Sequence, residues 1–170
     1  QKDLDDGIDT IGKKMTVCQL YAKQIRHRGN VRYNTKNGRK RLMKLLQEDK
    51  LGGCPIDSVK LSDAKEWAIR MKEKGISYKT ISNDKRSLKA AFYTAIQDDC
   101  IRKNLFDFQL NTVIEDDTEP KVPLTPAQEE SFLSFAQNDK VYQKYYDELI
   151  ILLGTGLRIS ELCGLTDTDI

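Results

Sequence analysis

Residues 75–95 read G-I-S-Y-K-T-I-S-N-D-K-R-S-L-K-A-A-F-Y-T-A. Gly75 stops whatever precedes it, and Ser77 stands where a helix cap is expected. Ile81, Leu88, Ala91, Phe92 and Ala95, continued by Ile96, recur at helical spacing. The pattern predicts a helix running to about Asp98, with that stripe turned to a core. Lys79, Asn83 and Arg86 lie at i, i+4 and i+7 on a different face. Ser82, Lys85 and Lys89 form an adjoining stripe, and Thr80 adds a hydroxyl in the first turn. Hydroxyls at a helix start and cations along it suit phosphate contacts. Asn and Arg can also make bidentate contacts to bases in a major groove. The competing reading is a solvated outer face.

Three further helices are predicted upstream. Thr16 and Gln19 form a capping-box pattern, and Val17, Leu20, Tyr21 and Ile25 supply an apolar stripe over 16–27. Residues 28–35 read as a loop. A second helix is expected from about 35 to 49, with Leu42, Leu45 and Leu46 inward and Lys36, Arg39, Lys40 and Lys44 on a second basic face. Tyr33 and Asn34 precede it, either touching a nucleic-acid backbone or packing on the bundle. Gly52-Gly53-Cys54-Pro55 ends it. Ser62 is expected to cap a third helix carrying Ala64, Trp67, Ala68 and Met71, with Trp67 in the core. His27 reads as a helix-end residue facing carbonyls.

Composition bounds the function. The chain has 170 residues, 39% hydrophobic and 32% charged, enough for one domain and part of another. No apolar run approaches ~18 residues, so no membrane span is expected. The start is acidic and polar and begins with Gln1 rather than Met, which reads as a piece of a longer chain without a signal peptide. Four dispersed cysteines and one histidine speak against a zinc site and for a reduced, cytoplasmic setting. The net charge of +2 hides a segregation. Residues 13–103 hold 23 Lys and Arg against 9 Asp and Glu, a net +14; the remainder holds 5 against 17, a net −12. A segment this basic is a footprint for a polyanion.

Residues 111–123 carry Glu115-Asp116-Asp117 and two prolines, and read as a linker. Thr125-Pro126-Ala127-Gln128 is a strong helix start. Another helix is expected over about 141–153. Tyr142, Tyr145 and Tyr146 on it read as packing residues rather than nucleophiles. Gly154-Thr155-Gly156 then leads into Arg158 and Glu161, three apart. A carboxylate at that offset can brace a guanidinium, and the glycines allow close passage of a phosphate.

Residues 155–165 read T-G-L-R-I-S-E-L-C-G-L. With residues 75–95 and Ile101-Arg102-Lys103-Asn104, this stretch resembles the tyrosine recombinases, and within them the integrases of conjugative transposons of Gram-positive bacteria. The resemblance runs along nearly the whole chain. It implies an all-α fragment. Residues 1–12 would be a flexible lead-in after an arm-binding domain. Residues 13–110 would form a four-helix, SAM-like core-binding bundle on duplex DNA, with 111–123 as linker. Residues 124–170 would hold the first helices of an α+β catalytic domain.

The resemblance also implies roles. Arg158 would contact the scissile phosphate, with Glu161 supporting it. The chemistry would use neither metal nor cofactor. The remaining catalytic residues, including the nucleophilic tyrosine, would lie beyond Ile170, so these residues alone would not recombine DNA. The full-length protein would assemble as a tetramer on its attachment sites in the bacterial cytoplasm. Leu105 stands where the family commonly reads proline, which would loosen the stop after the fourth helix and leave Phe106 as anchor. Two other classes compete: a helical DNA-binding accessory or regulatory protein without catalysis, and a helical protein-interaction module.

Overall fold

The computed structural model describes residues 14–166, 168 and 169. The lead-in expected over 1–12 lies outside them. The chain divides into two units between residues 119 and 120. The regular structure among the described residues is helical, apart from one antiparallel bridge between Thr16 and Pro55.

Among the described residues the first unit holds four α-helices: α1 (Val17–His27), α2 (Tyr33–Gln47), α3 (Leu61–Glu73) and α4 (Tyr78–Gln97). The expected capping box starts α1, with Gln19 N donating to Thr16 Oγ1 at 3.2 Å and Thr16 N to Gln19 Oε1 at 2.9 Å. Two other starts differ from expectation. α2 begins at Tyr33, so Tyr33 and Asn34 are its first turn, and Arg32 at the cap offers no side-chain acceptor. α3 begins at Leu61, because the Asp63 carboxylate accepts from Lys60 N at 2.8 Å; Ser62 lies inside the helix. α4 runs as expected from Ser77 to Asp98. Asp99, at φ 53°, ends it in a left-handed conformation that Asp tolerates better than most residues. The helix therefore stops well before Leu105.

α1 packs on α2 and α4, and α3 on α4. Trp67, Phe92 and Phe106 form the centre, each fully buried. Phe106 meets Trp67 edge-on at 5.9 Å and Phe92 at 5.1 Å. It therefore anchors the segment after α4, as expected. That segment continues as a strap. Asn104 Nδ2 donates to Lys89 O at 2.8 Å, and Asn104 Oδ1 accepts from Phe106 N at 3.0 Å. Leu110 and Ile114 are buried and Val113 packs on the same core. Asp117 accepts from Tyr78 N at 3.2 Å and pairs with Lys72 at 2.5 Å. Residues up to 117 thus lie on the bundle, where a linker from 111 was expected. The reason is the apolar set Leu110, Val113 and Ile114, spaced for a 3-10 turn at Leu110–Thr112.

Two buried carboxylates tie helices together, and they contrast. Asp49 accepts Nε and Nη2 of Arg70, both at 2.8 Å, and Leu51 N at 2.9 Å. Burial pushes its carboxyl up, but these donors outweigh burial and hold it below its ordinary value. This locks the turn before Gly52, where an added Cβ would fall 2.0 Å from Leu46 O. Asp84 on α4 has one partner, Arg41 Nη2 of α2 at 2.5 Å; its other oxygen is buried without one. Here burial wins over the Arg41 charge, and the carboxyl is raised.

The second unit holds α5 (Pro126–Asn138), α6 (Tyr146–Thr155) and the single turn α7 (Ile159–Leu162). The Thr125 and Gln128 cap forms as expected. The helix expected from 141 begins only at Tyr146. Asp139 Oδ1 accepts from Val141 N at 2.8 Å and Tyr142 N at 3.1 Å, which closes a turn first. Ala136 is the one buried hydrophobic of this unit among the described residues. An apolar cavity of about 830 Å³ opens between Phe132, Phe135, Leu149, Leu152, Ile159 and Leu162.

Phe106→Ala should cost about 3–5 kcal/mol in chemical denaturation, since it empties the contact of the strap with Trp67 and Phe92. Arg41→Ala should cost about 1–3 kcal/mol at pH 7, by leaving the Asp84 carboxylate unpaired. Asp84 has a raised folded value, which loss of Arg41 raises further. Stability tied to its protonated form is present below the ordinary carboxylate value and is lost as pH rises through the folded value. The Arg41→Ala deficit should therefore shrink as pH falls toward ~4, measured by urea melts against the parent chain.

Candidate nucleic-acid interface and arginine motif

Helical spacing puts Lys36, Arg39, Lys40 and Lys44 on one side of α2, and the structure brings all four to the rim of one groove. The groove is about 450 Å³, lies along the end of α1 and the turn after it, and is floored by Ile25, Val31 and Met43. Sequence reasoning missed this floor and the part played by Gly29 and Asn30. The apolar stripe of α1 ending at Ile25 was the available signal. Lys44 also makes a loose ion pair with Glu48 at 3.8 Å.

On α4 the two sequence-derived stripes part company. Lys79, Asn83 and Arg86 are exposed, and none carries an ion pair among the described residues. Lys85 and Lys89 do not stand free as the spacing suggested. The Lys85 ammonium sits 4.6 Å from the Phe108 ring centroid, and burial, with Lys89 beside it, lowers its pKa. Lys89 is paired with Asp107 at 2.6 Å. That hydrogen bond raises the Lys89 ammonium and lowers the Asp107 carboxyl. Thr80 is half-buried, and its hydroxyl accepts from Ser77 Oγ at 3.0 Å. The strap at 107–108 is the physical reason for the difference. Asp84, which joins α4 to α2, was legible in principle: it falls on the apolar stripe between Ile81 and Leu88.

In the second unit, Arg158 is the cap residue of α7 rather than a member of its first turn. Gly156, in a left-handed conformation at φ 69°, ends α6 just before it. The expected brace is present. Arg158 Nη1 donates to Glu161 Oε1 at 2.7 Å, and Arg158 N to Glu161 Oε2 at 2.9 Å. The backbone N–H and then the guanidinium hold the Glu161 carboxyl below its ordinary value, so it is ionised at neutral pH. The Arg158 side chain remains 82% exposed. A guanidinium has five N–H donors, so the brace fixes its direction and leaves donors for an anion. Tyr142 packs on Phe135 at 5.9 Å, and the Lys144 ammonium lies over the Tyr145 ring at 4.8 Å.

No group of three metal-ligating side chains comes together among the described residues. No described helix is long and apolar enough to cross a membrane.

No family model matches the chain. It is 65% identical over all 170 residues to the transposase from transposon Tn916 of Enterococcus faecalis, and equally to that from transposon Tn1545 of Streptococcus pneumoniae. It spans 42% of the length of each of these relatives. Among solved structures, the Tn1549 transposon integrase in complex with a circular intermediate DNA superposes with a TM-score of 0.88 at 83% identity, over 92% of this chain and 50% of that one. The complex of the same integrase with transposon right end DNA gives 0.87 at 83% identity, over 92% of this chain and 49% of that one. The former carries an arginine-to-lysine substitution and the latter a tyrosine-to-phenylalanine one. The helices described above are thus those of the corresponding region of a DNA-bound transposon integrase, and the chain's relatives are transposon transposases and integrases.

Proposed function

We propose that this chain is the DNA-gripping portion, with the start of the catalytic domain, of a site-specific tyrosine recombinase that cuts and rejoins DNA to integrate and excise a mobile element. One observation carries the proposal. The four cations of the α2 groove and the exposed Lys79, Asn83 and Arg86 of α4 belong to two helices pinned to each other through Arg41 and Asp84. Duplex DNA is the polyanion that two such basic helix faces fit, with cations on phosphates and Asn83 and Arg86 directed to base edges. The DNA-bound Tn1549 relatives support this partner.

In this reading a tyrosine hydroxyl outside these 170 residues attacks the scissile phosphorus. A 3′-phosphotyrosyl bond forms and the 5′ oxygen leaves, so the phosphodiester energy is kept for rejoining. Arg158 would donate to the nonbridging oxygens, where charge builds up, while Glu161 holds its direction. Arginine and tyrosine are the residue types replaced in the Tn1549 complexes, which supports this chemistry. The apolar cavity of the second unit would be covered by further length of the same domain. The full-length protein would act as a tetramer on its attachment sites, in the cytoplasm, without metal or cofactor.

The 170-residue chain should bind duplex DNA with a steep salt dependence, losing about 0.9 in log–log slope for each phosphate contact removed. Replacing Lys79 with Ala should flatten the slope by roughly 1, and Arg86→Ala should relax base preference, each leaving fold stability within ~0.5 kcal/mol. An affinity unchanged from low to moderate salt would overturn the reading. In the full-length protein, Arg158→Ala should slow strand cleavage about 10²–10³-fold with site binding retained, the range for losing one oxyanion donor. Glu161→Gln should cost less. The 170 residues alone should form no covalent adduct on a nicked suicide substrate; an adduct would make Tyr142, Tyr145 or Tyr146 the nucleophile.

A further inference from the structure

Asp107 of the strap lies against α4, the helix read as facing DNA, in a way that folding alone does not require. Its neighbours are fixed: Asn104 holds the carbonyl of Lys89, and Phe106 is fully buried. Asp107 itself projects outward, with a side chain 56% exposed, and meets Lys89, whose side chain is 33% exposed. The next residue, Phe108, takes Lys85, one turn earlier on α4. Two consecutive strap residues therefore occupy the whole Lys85 and Lys89 stripe, beside the open face of Lys79, Asn83 and Arg86. A carboxylate presents an ammonium with what a phosphodiester presents: two oxygens sharing one negative charge.

We infer that Asp107 is an internal stand-in for a DNA phosphate, holding Lys89 in place in the free protein and yielding it to the backbone when duplex is bound. The inference rests on the reading of α4 as a DNA face. An exposed pair of this kind is weak. A DNA phosphate adds the release of a condensed counterion, so the exchange favours the duplex at low salt and loses that advantage as salt rises. Asp107 also leaves a negative charge beside the bound strand, which lowers affinity for any sequence alike. Its effect is to restrain binding that depends on phosphates alone, without touching contacts to bases.

Four versions of the 170-residue chain test this by fluorescence titration with a duplex of arbitrary sequence: the parent, Asp107→Asn, Lys89→Ala and the double variant. Asp107→Asn should tighten binding by up to about fivefold, the ceiling for an exposed pair. The gain should vanish in the Lys89→Ala background. Thermal melts check that each variant is folded, and Asp107→Ser serves as a second replacement. Equal tightening with and without Lys89 would overturn the inference, because it would report only the removal of a negative charge. No tightening in a chain that binds duplex, and that loses binding on Lys79 and Arg86 replacement, would also overturn it while leaving the DNA reading standing. A parent chain that does not bind duplex would overturn both.

Discussion

The pairing of Arg41 with Asp84 ties the two basic helices directly to each other, where both otherwise rest on α1, and the proposed interface depends on it. A half-exposed guanidinium on α2 reaches a nearly buried carboxylate on α4. Asp84 is poorly provided for there, with one donor where Asp49 has three. Such an arrangement contributes little net stability, because desolvation of the carboxylate offsets much of the attraction. A charge pair is satisfied at one relative placement of its two helices, so it favours one register of α2 against α4. Further along α4, Thr94 Oγ1 donates to Gln24 Oε1 of α1 at 2.7 Å.

The two units differ in how far their own residues cover them. The first closes its core with the strap: Phe106, Leu110 and Ile114 complete what the four helices begin. The second leaves Phe135, Tyr142 and Ile159 largely exposed around its cavity. The charge segregation follows the same division. The basic stretch is confined to the self-sufficient unit, while the acidic residues gather on the strap and beyond. Asp107 and Asp117 turn some of that acidity back onto Lys89 and Lys72.

Much of this could be read from the chain. The helix of Ser77 to Asp98, the Thr16 and Thr125 caps, the core role of Trp67 and the brace between Arg158 and Glu161 all follow from local spacing, where one or two turns fix the outcome; the anchoring role of Phe106 comes instead from the family resemblance. What escaped was decided at a distance or by competing local bonds. The start of α2 has no side-chain cap to announce it, and α3 begins at a carboxylate reaching backward rather than at Ser62. Acidic residues 115–117 disguised a strap whose Leu110 and Ile114 are core. The engagement of Lys85 and Lys89 depends on Phe108 and Asp107, about twenty residues away, which no periodicity within α4 could disclose. The acid on the apolar stripe, Asp84, was visible, and its position alone was grounds to seek a cation on a neighbouring helix.

The chain contains a single tryptophan, and its indole is fully buried with Phe106 set edge-on against it. The bundle therefore carries its own optical probe. Emission from Trp67 originates in a buried, apolar setting, one wall of which is Phe106 of the strap. Seating or release of residues 104–117 on the four helices would register as a change in the colour and yield of that one fluorophore, with no dye attached and no second tryptophan to obscure it.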